Sequence, residues 1–163
     1  GWVAAAQAGE RMVGSGAAAL EQGLDGIESR NACTDLVHAY ARFIRSDQPD
    51  MAASLFVPEG TFEVRDGHPD RPEFTVRSHN ASRDEVNAHL APNKGKPHPV
   101  PLIHNLSIIV DGDTATGNCV MEAQIYGAEI KVKGEYHDRF VRTGGKWHFA
   151  SRIYTIFRGA SSV

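Results

Sequence analysis

The chain has no surplus of one charge, no cysteine framework and no long apolar run, and each lack closes off a class of function. Its 17 basic and 20 acidic residues leave a formal net charge of −3. No basic excess draws it to nucleic acid or to an acidic membrane surface by long-range attraction, so neither is expected as a partner. No apolar run approaches the roughly 20 residues needed to cross a bilayer. Cys33 and Cys119 are its only cysteines. They make no Cys-x-x-Cys pair and no metal cluster, and read as buried free thiols in a reducing cytoplasm, the expected location. The eight histidines show no His-Glu-x-x-His or His-x-His spacing. His68, His79, His89 and His98 are scattered through loops and one helix, so no metal site is expected. A glycine-rich phosphate loop and a Gly-x-Ser-x-Gly elbow are also missing, and no cofactor is expected. The N-terminus lacks the basic-then-apolar order of a signal peptide, because Glu10 and Arg11 interrupt its Ala-rich stretch. Gly1 in place of Met reads as a cloning remnant or a processed start.

What is present is the composition of a soluble globular domain. Of 163 residues, 41% are hydrophobic and 23% charged, enough for one core that needs no disulfide or metal. Residues 1–26 form an Ala/Gly-rich arm, read as a weak helix or a flexible segment that packs on a neighbouring subunit. Residues 27–158 form the domain proper, and 159–163 a C-terminal tail. From Ile27 to Arg45 the apolar positions Leu36, Tyr40, Phe43 and Ile44 keep helical spacing. Asp47 is expected to cap a second short helix with Pro49 in its first turn and Met51, Ala52, Leu55 and Phe56 on its apolar face. Thr61 to Val64 alternates as a first strand, with Phe74 to Arg77 as the return of a short hairpin. Ser82 and Glu85 fit a capping box before a third helix. The proline-rich stretch 93–101 is expected to be a loop.

The last third, from Leu102 to Arg152, reads as three consecutive strands joined by two short turns. Leu102 to Val110 leads into an Asp-Gly-Asp turn. The middle stretch runs out from Thr114 and back toward Arg142, and Gly144–Gly145 turns the chain into Lys146 to Arg152. Helices gathered on one face of such a meander give an α+β fold. The expected architecture is a curled antiparallel sheet with the N-terminal helices on its concave face, enclosing a cone-shaped pocket.

Four stretches carry a family resemblance. They are Asp35 to Ala41, Leu55 to Phe62, Asn105 to Ala115, and Gly134 to Phe140 with Trp147 and Arg152. In this order they resemble the SnoaL-like branch of the nuclear-transport-factor-two-like, or cystatin-like cone, superfamily, over about residues 27–158. The resemblance implies the cone fold and admits dehydratases, isomerases, cyclases and non-catalytic binding or assembly modules. It also implies an Asp near the end of the first helix and a His just before the meander as a general-base pair. Those positions fall here at Arg45 and Pro101, and neither residue can serve as a base at neutral pH. A shift of one or two residues brings Asp47 or His104 into play.

The remaining candidates each have two readings. Tyr40 is a pocket hydroxyl or a core tyrosine, and Phe62 a pocket-wall aromatic or plain core. Arg45 holds an anionic ligand or caps its helix. His104 and Asn105 occupy adjacent strand positions, so only one faces the cone. Tyr136, Asp138, Phe140 and Arg142 share a strand face. Asp138 is a base raised by aromatic walls or the partner of Arg152 or Arg139 in a structural bridge. Arg152 lines the pocket by resemblance. Two functions follow. One is a cofactor-free lyase or isomerase with His104 or Asp138 as base and Tyr40 or Tyr136 as oxyanion donor. Asn105 and Arg152 would complete its polar set. The other is a non-catalytic module for a small apolar or aromatic organic molecule. A homodimer or higher homo-oligomer is expected through the outer face of the meander at His137, Arg139 and Val141.

Overall fold

The helical spacing around Tyr40 belongs to one long helix, α1 (Trp2–Arg45), of 44 residues. The computed structural model describes residues 2–158; the expected tail at 159–163 lies outside the described residues. Ser29, Cys33, Val37, Tyr40 and Ala41 are buried, a seam of threes and fours one position over from Leu36, which is half-buried. Leu20, Leu24 and Ile27 are more than half exposed, so the helix enters the core only from about Ser29 onward. Arg142 fastens that point, bonding Asp25 at 2.7 and 3.1 Å, the Ser29 hydroxyl at 3.2 Å and Asp113 at 2.8 Å.

The helix ends in a motif that decides where Asp47 points. The Asp47 N–H donates to the Ile44 carbonyl and the Gln48 N–H to the Phe43 carbonyl, the paired bonds of a Schellman turn. Asp47 occupies the left-handed position at φ 58°, usually glycine but open to aspartate. It therefore closes α1 rather than capping the next helix. Helix α2 (Pro49–Ala53) starts after Gln48 with no side-chain cap, though Pro49 does hold its first turn. Helix α3 (Arg83–Leu90) has the expected Ser82 cap, whose hydroxyl accepts from the Glu85 N–H at 3.2 Å, while Glu85 reaches back one residue past the cap, to the Ala81 N–H.

Among the described residues, six strands form one curled, unclosed sheet: β1 (Phe56–Gly67), β2 (Thr75–Asn80), β3 (His98–Asp111), β4 (Thr114–Tyr126), β5 (Ile130–Thr143) and β6 (Lys146–Phe157). Their order is β2-β1-β6-β5-β4-β3. The α+β architecture is as expected, but the sheet is mixed rather than wholly antiparallel. The last strand inserts beside the first, and β1 and β6 run parallel, with Phe62 opposite Arg152 and Val64 opposite Tyr154. The middle stretch of the meander is two strands, split at Gly127, whose φ of 88° turns the chain. Leu55 and Phe56 leave the helix, and Phe56 opens β1.

Strand β3 begins at His98, so Pro99 and Pro101 lie inside a strand where a loop was expected. The reason is position: β3 is the sheet edge and pairs only with β4, and an edge strand tolerates a missing N–H. Inside the sheet, Gly134 leaves room for a ring. A Cβ there would stand 2.9 Å from Tyr154 Cζ and 2.1 Å from the Thr155 carbonyl oxygen.

Two bulges break the alternation of side chains. In β6 the register slips between Phe149 and Ser151. Trp147 and Phe149 are buried before the slip, Arg152 and Tyr154 after it, so the inward set changes from odd to even numbers. In β3 it slips between His104 and Ser107, with Asn105 at φ 53°. Ile103 packs inward before that slip, and Leu106, Ile108 and Val110 after it. Each bulge leaves extra residues that re-aim their neighbours. Among the described residues no helix is long and apolar enough to cross a membrane.

Candidate functional site

The concave face of the sheet and the inner side of α1 enclose a cavity of about 290 Å³, the small end of the range for ligand pockets. Its wall is apolar over most of its extent, with Ile44, Phe62, Leu90, Met121, Ile125, Val132 and Ile156 contributing. Polar groups enter in two places. Tyr40, Tyr136 and Tyr154 stand on the inner wall, and Asp47, Asn93 and His98 stand where the α1–α2 loop meets the start of β3. Asp47 and Asn93 keep solvent contact, so this second group forms the rim.

The tyrosines differ in what they hold. The Tyr154 hydroxyl donates to the Met121 carbonyl at 2.9 Å. The Tyr40 and Tyr136 hydroxyls have no hydrogen-bond partner among the described residues. Burial pushes the Tyr40 phenol up to about 12 and raises that of Tyr136 as well. Both are therefore protonated donors at neutral pH and not bases.

Behind these rings lies a fully buried ion pair. Arg152 Nε donates to Asp138 Oδ1 at 2.7 Å and Nη2 to Oδ2 at 3.2 Å, with both side chains wholly out of solvent. The guanidinium carbon sits 3.6 Å from the Tyr136 ring centre, 4.4 Å from that of Phe149 and 4.6 Å from that of Tyr40. Its Nη1 is buried without a partner among the described residues. Burial raises the Asp138 carboxyl against the pull of Arg152. In Arg152 burial is outweighed by Asp138 together with Tyr136 and Tyr40, and the guanidinium stays charged. A carboxylate gripped at both oxygens by a guanidinium is a structural counter-ion, because a neutral Asp138 would leave that cation alone in an aromatic cage.

At the rim, Asp47 Oδ2 accepts from the Gly95 N–H at 2.9 Å. Its Oδ1 lies 4.0 Å from His98 Nδ1. His98 Nδ1 is 2.9 Å from the Lys96 carbonyl oxygen and Nε2 is 3.1 Å from that of Arg45. Both ring nitrogens thus face acceptors, and the ring offers the cavity no free lone pair. Among the described residues no N–H satisfies the other Asp47 oxygen.

The structure brings five of the expected residues together: Tyr40, Phe62 and Tyr136 on the wall, Asp138 and Arg152 directly behind it. Three it does not. His104 is exposed on the outer face, with Nε2 2.8 Å from Glu122 Oε1. Asn105 is exposed at the bulge, so neither member of that pair faces the cone. Plain alternation from the inward Ile103 sends His104 out, and the slip that turns Leu106 inward takes Asn105 away as well. Arg45 is exposed in the last turn of α1 and meets the site only through its carbonyl. Asp47 enters by the small shift that the sequence allowed, through its left-handed position. His98 was not foreseen as a site residue; a Pro-His-Pro run opening an edge strand was its one signal.

A family model described as a SnoaL-like domain matches residues 25–153. No curated protein matches the chain in sequence. Among solved structures, a protein of unknown function from Mycobacterium tuberculosis is 21% identical, with a TM-score of 0.68 over 84% of this chain and 76% of that one. One from Novosphingobium aromaticivorans, assigned as the beta subunit of an aromatic-ring-hydroxylating dioxygenase, is 20% identical, with a TM-score of 0.66 over 80% and 90%. Another from that organism, assigned as a scytalone dehydratase, is 19% identical, with a TM-score of 0.63 over 81% and 86%. At these identities the likeness is one of fold.

Proposed function

The chain belongs to the SnoaL-like family, and from that footing we propose that its cone holds a small, flat, mostly apolar organic molecule, gripped at an oxygen by Tyr40 and Tyr136. The observation that carries this reading is the pair of partnerless hydroxyls on an otherwise apolar wall. Neither hydroxyl is committed to a protein acceptor, so a ligand oxygen placed between them meets two free donors, each bond worth about 0.5–1.5 kcal/mol. The assignments of two fold neighbours, to an aromatic-ring hydroxylase subunit and to a dehydratase, are in keeping with a ring-bearing occupant.

The test is calorimetric binding of 2-naphthol against naphthalene. Tyr40→Phe and Tyr136→Phe should each weaken 2-naphthol by roughly five- to tenfold, the value of one hydrogen bond, and leave naphthalene unmoved. Equal binding of both compounds in wild type and variants would sink the proposal.

The geometry of Asp47 favours a second reading, a cofactor-free lyase or isomerase that moves a proton. Asp47, on the cavity lining, would take a proton from a carbon next to a ligand carbonyl, while the tyrosines would donate to the oxygen that becomes negative. His98 beside it contributes position rather than a lone pair. Deuterium exchange into 1-tetralone in heavy water, followed by mass spectrometry, reads this step. Exchange by the wild type that falls at least a hundredfold in Asp47→Asn supports catalysis. Exchange at the rate of buffer alone leaves a binding module.

A further inference from the structure

We propose that the pocket prefers the ionised form of an acidic hydroxyl, a phenolate or enolate, over its neutral form, because Arg152 stands behind both tyrosine donors with its charge only partly compensated. The inference rests on the preceding reading that a ligand oxygen meets Tyr40 and Tyr136, and it names the class of oxygen. Asp138 binds the Nε and Nη2 edge of the guanidinium, and a carboxylate held bidentately lies near the guanidinium plane. The tyrosine rings lie over the guanidinium, at 3.6 and 4.6 Å from its carbon. The rings therefore face the cation more closely than the anion. The third nitrogen, Nη1, has no partner among the described residues and carries its share of charge unanswered. At both hydroxyls burial is the largest effect and keeps the phenol neutral; of the two charges behind them, the pull of Arg152 exceeds the push of Asp138.

The other groups on the cavity wall do not cancel this. Tyr154 is neutral and committed to the Met121 carbonyl. Asp47, the one acid on the wall, sits at the rim with the Gly95 N–H on one oxygen and His98 near the other. It keeps solvent contact, which screens it. An anion entering an apolar cavity loses its hydration, a cost of several kcal/mol. Two O–H donors polarised from behind by a guanidinium supply charge-assisted bonds, about twice as strong as neutral ones. A phenol that ionises near neutrality has the least to lose and the most to gain.

The probe is 4-nitrophenol, whose colour reports its own ionisation, with 4-nitrotoluene as a matched ring that has no proton to lose. The wild-type protein is titrated with pH while the absorbance of the bound nitrophenol is followed. The expected result is an ionisation midpoint at least about one pH unit below that of free nitrophenol, equivalent to tenfold tighter binding of the phenolate. The double variant Asp138→Leu/Arg152→Met, which removes the pair together, should lose this displacement. A midpoint that is unmoved or raised in wild type overturns the inference and leaves the binding reading standing if 4-nitrotoluene still binds. A displacement that persists in the double variant overturns it too. Should that variant bind neither compound, the wild-type midpoint decides. Failure of both compounds to bind wild type overturns this inference together with the reading beneath it.

Discussion

Two acid–base pairs flank the cavity, Asp138 with Arg152 behind its inner wall and Asp47 with His98 at its rim, and their surroundings could hardly differ more. The inner pair is closed from solvent, bidentate and stacked on three aromatic rings. The rim pair is separated by 4.0 Å, partly wet, and tied mainly to backbone groups. Its place on a strand face with Tyr136 and Phe140 makes Asp138 the more tempting base in the sequence. Burial reverses that: the carboxylate with the stronger partner has no free oxygen, while the weakly partnered one faces the cavity. Chemistry resides where charge is left unfinished.

The largest effect should come from splitting the inner pair. Arg152→Met alone or Asp138→Leu alone leaves one buried charge without its counter-ion and should cost about 3–5 kcal/mol in urea unfolding. The double variant should be more stable than either single one. A single variant that unfolds within about 1 kcal/mol of wild type would erase the contrast between floor and rim.

The rim should yield far less stability and more function. Asp47→Asn keeps a residue that tolerates the left-handed position and an oxygen for the Gly95 N–H, so its unfolding midpoint should stay within about 1 kcal/mol of wild type. His98→Ala removes contacts to two carbonyls that water can replace, with a loss of about 1 kcal/mol or less. A loss comparable with that of Arg152→Met would mean that the rim is structural as well.

Acid should act on neither pair first. In the β1–β2 hairpin, burial works against the Glu63 carboxylate but Arg65 and His79 outweigh it. Asp66 is likewise held low against burial by Arg158 and Arg77. Both pKa values are lowered on folding, so their stabilisation is full above the ordinary carboxylate range and is lost as pH falls through the lowered values, below about pH 4. Amide exchange at pH 5 and pH 3 should show β2 losing protection before β5 and β6. Equal loss in all three would place the acid-sensitive link in the core.

Much of the fold was legible because it follows from local rules. The apolar spacing of α1, the Ser82–Glu85 box, the turn at Asp111–Gly112 and the buried face of Tyr136, Asp138 and Phe140 all express helix or strand periods that need no tertiary information. The limits were equally physical. Asp47 looked like an N-cap because it precedes a proline, but the preceding helix claimed it first, through its left-handed backbone. Pro99 and Pro101 suggested a loop because a proline is excluded from strand interiors; that β3 would be an edge was not visible from its own residues. The parallel join of β1 to β6 links distant stretches of chain and has no local signature.

The candidate site turned on the two bulges. By itself the sequence determined the inventory: a cone of helix and meander, aromatic residues for its wall, and few groups able to hold or move a proton. Only the tertiary structure decided which of them face the cavity. Strand alternation runs at period two until a residue is inserted, and an insertion is stabilised by what packs on either side of it. The slip in β6 turns Arg152 into the core beneath Tyr40 and Tyr136. The slip in β3 turns Asn105 out into solvent, beside His104, which already faces out by alternation from Ile103. Register is a property of paired strands, and no strand carries it alone.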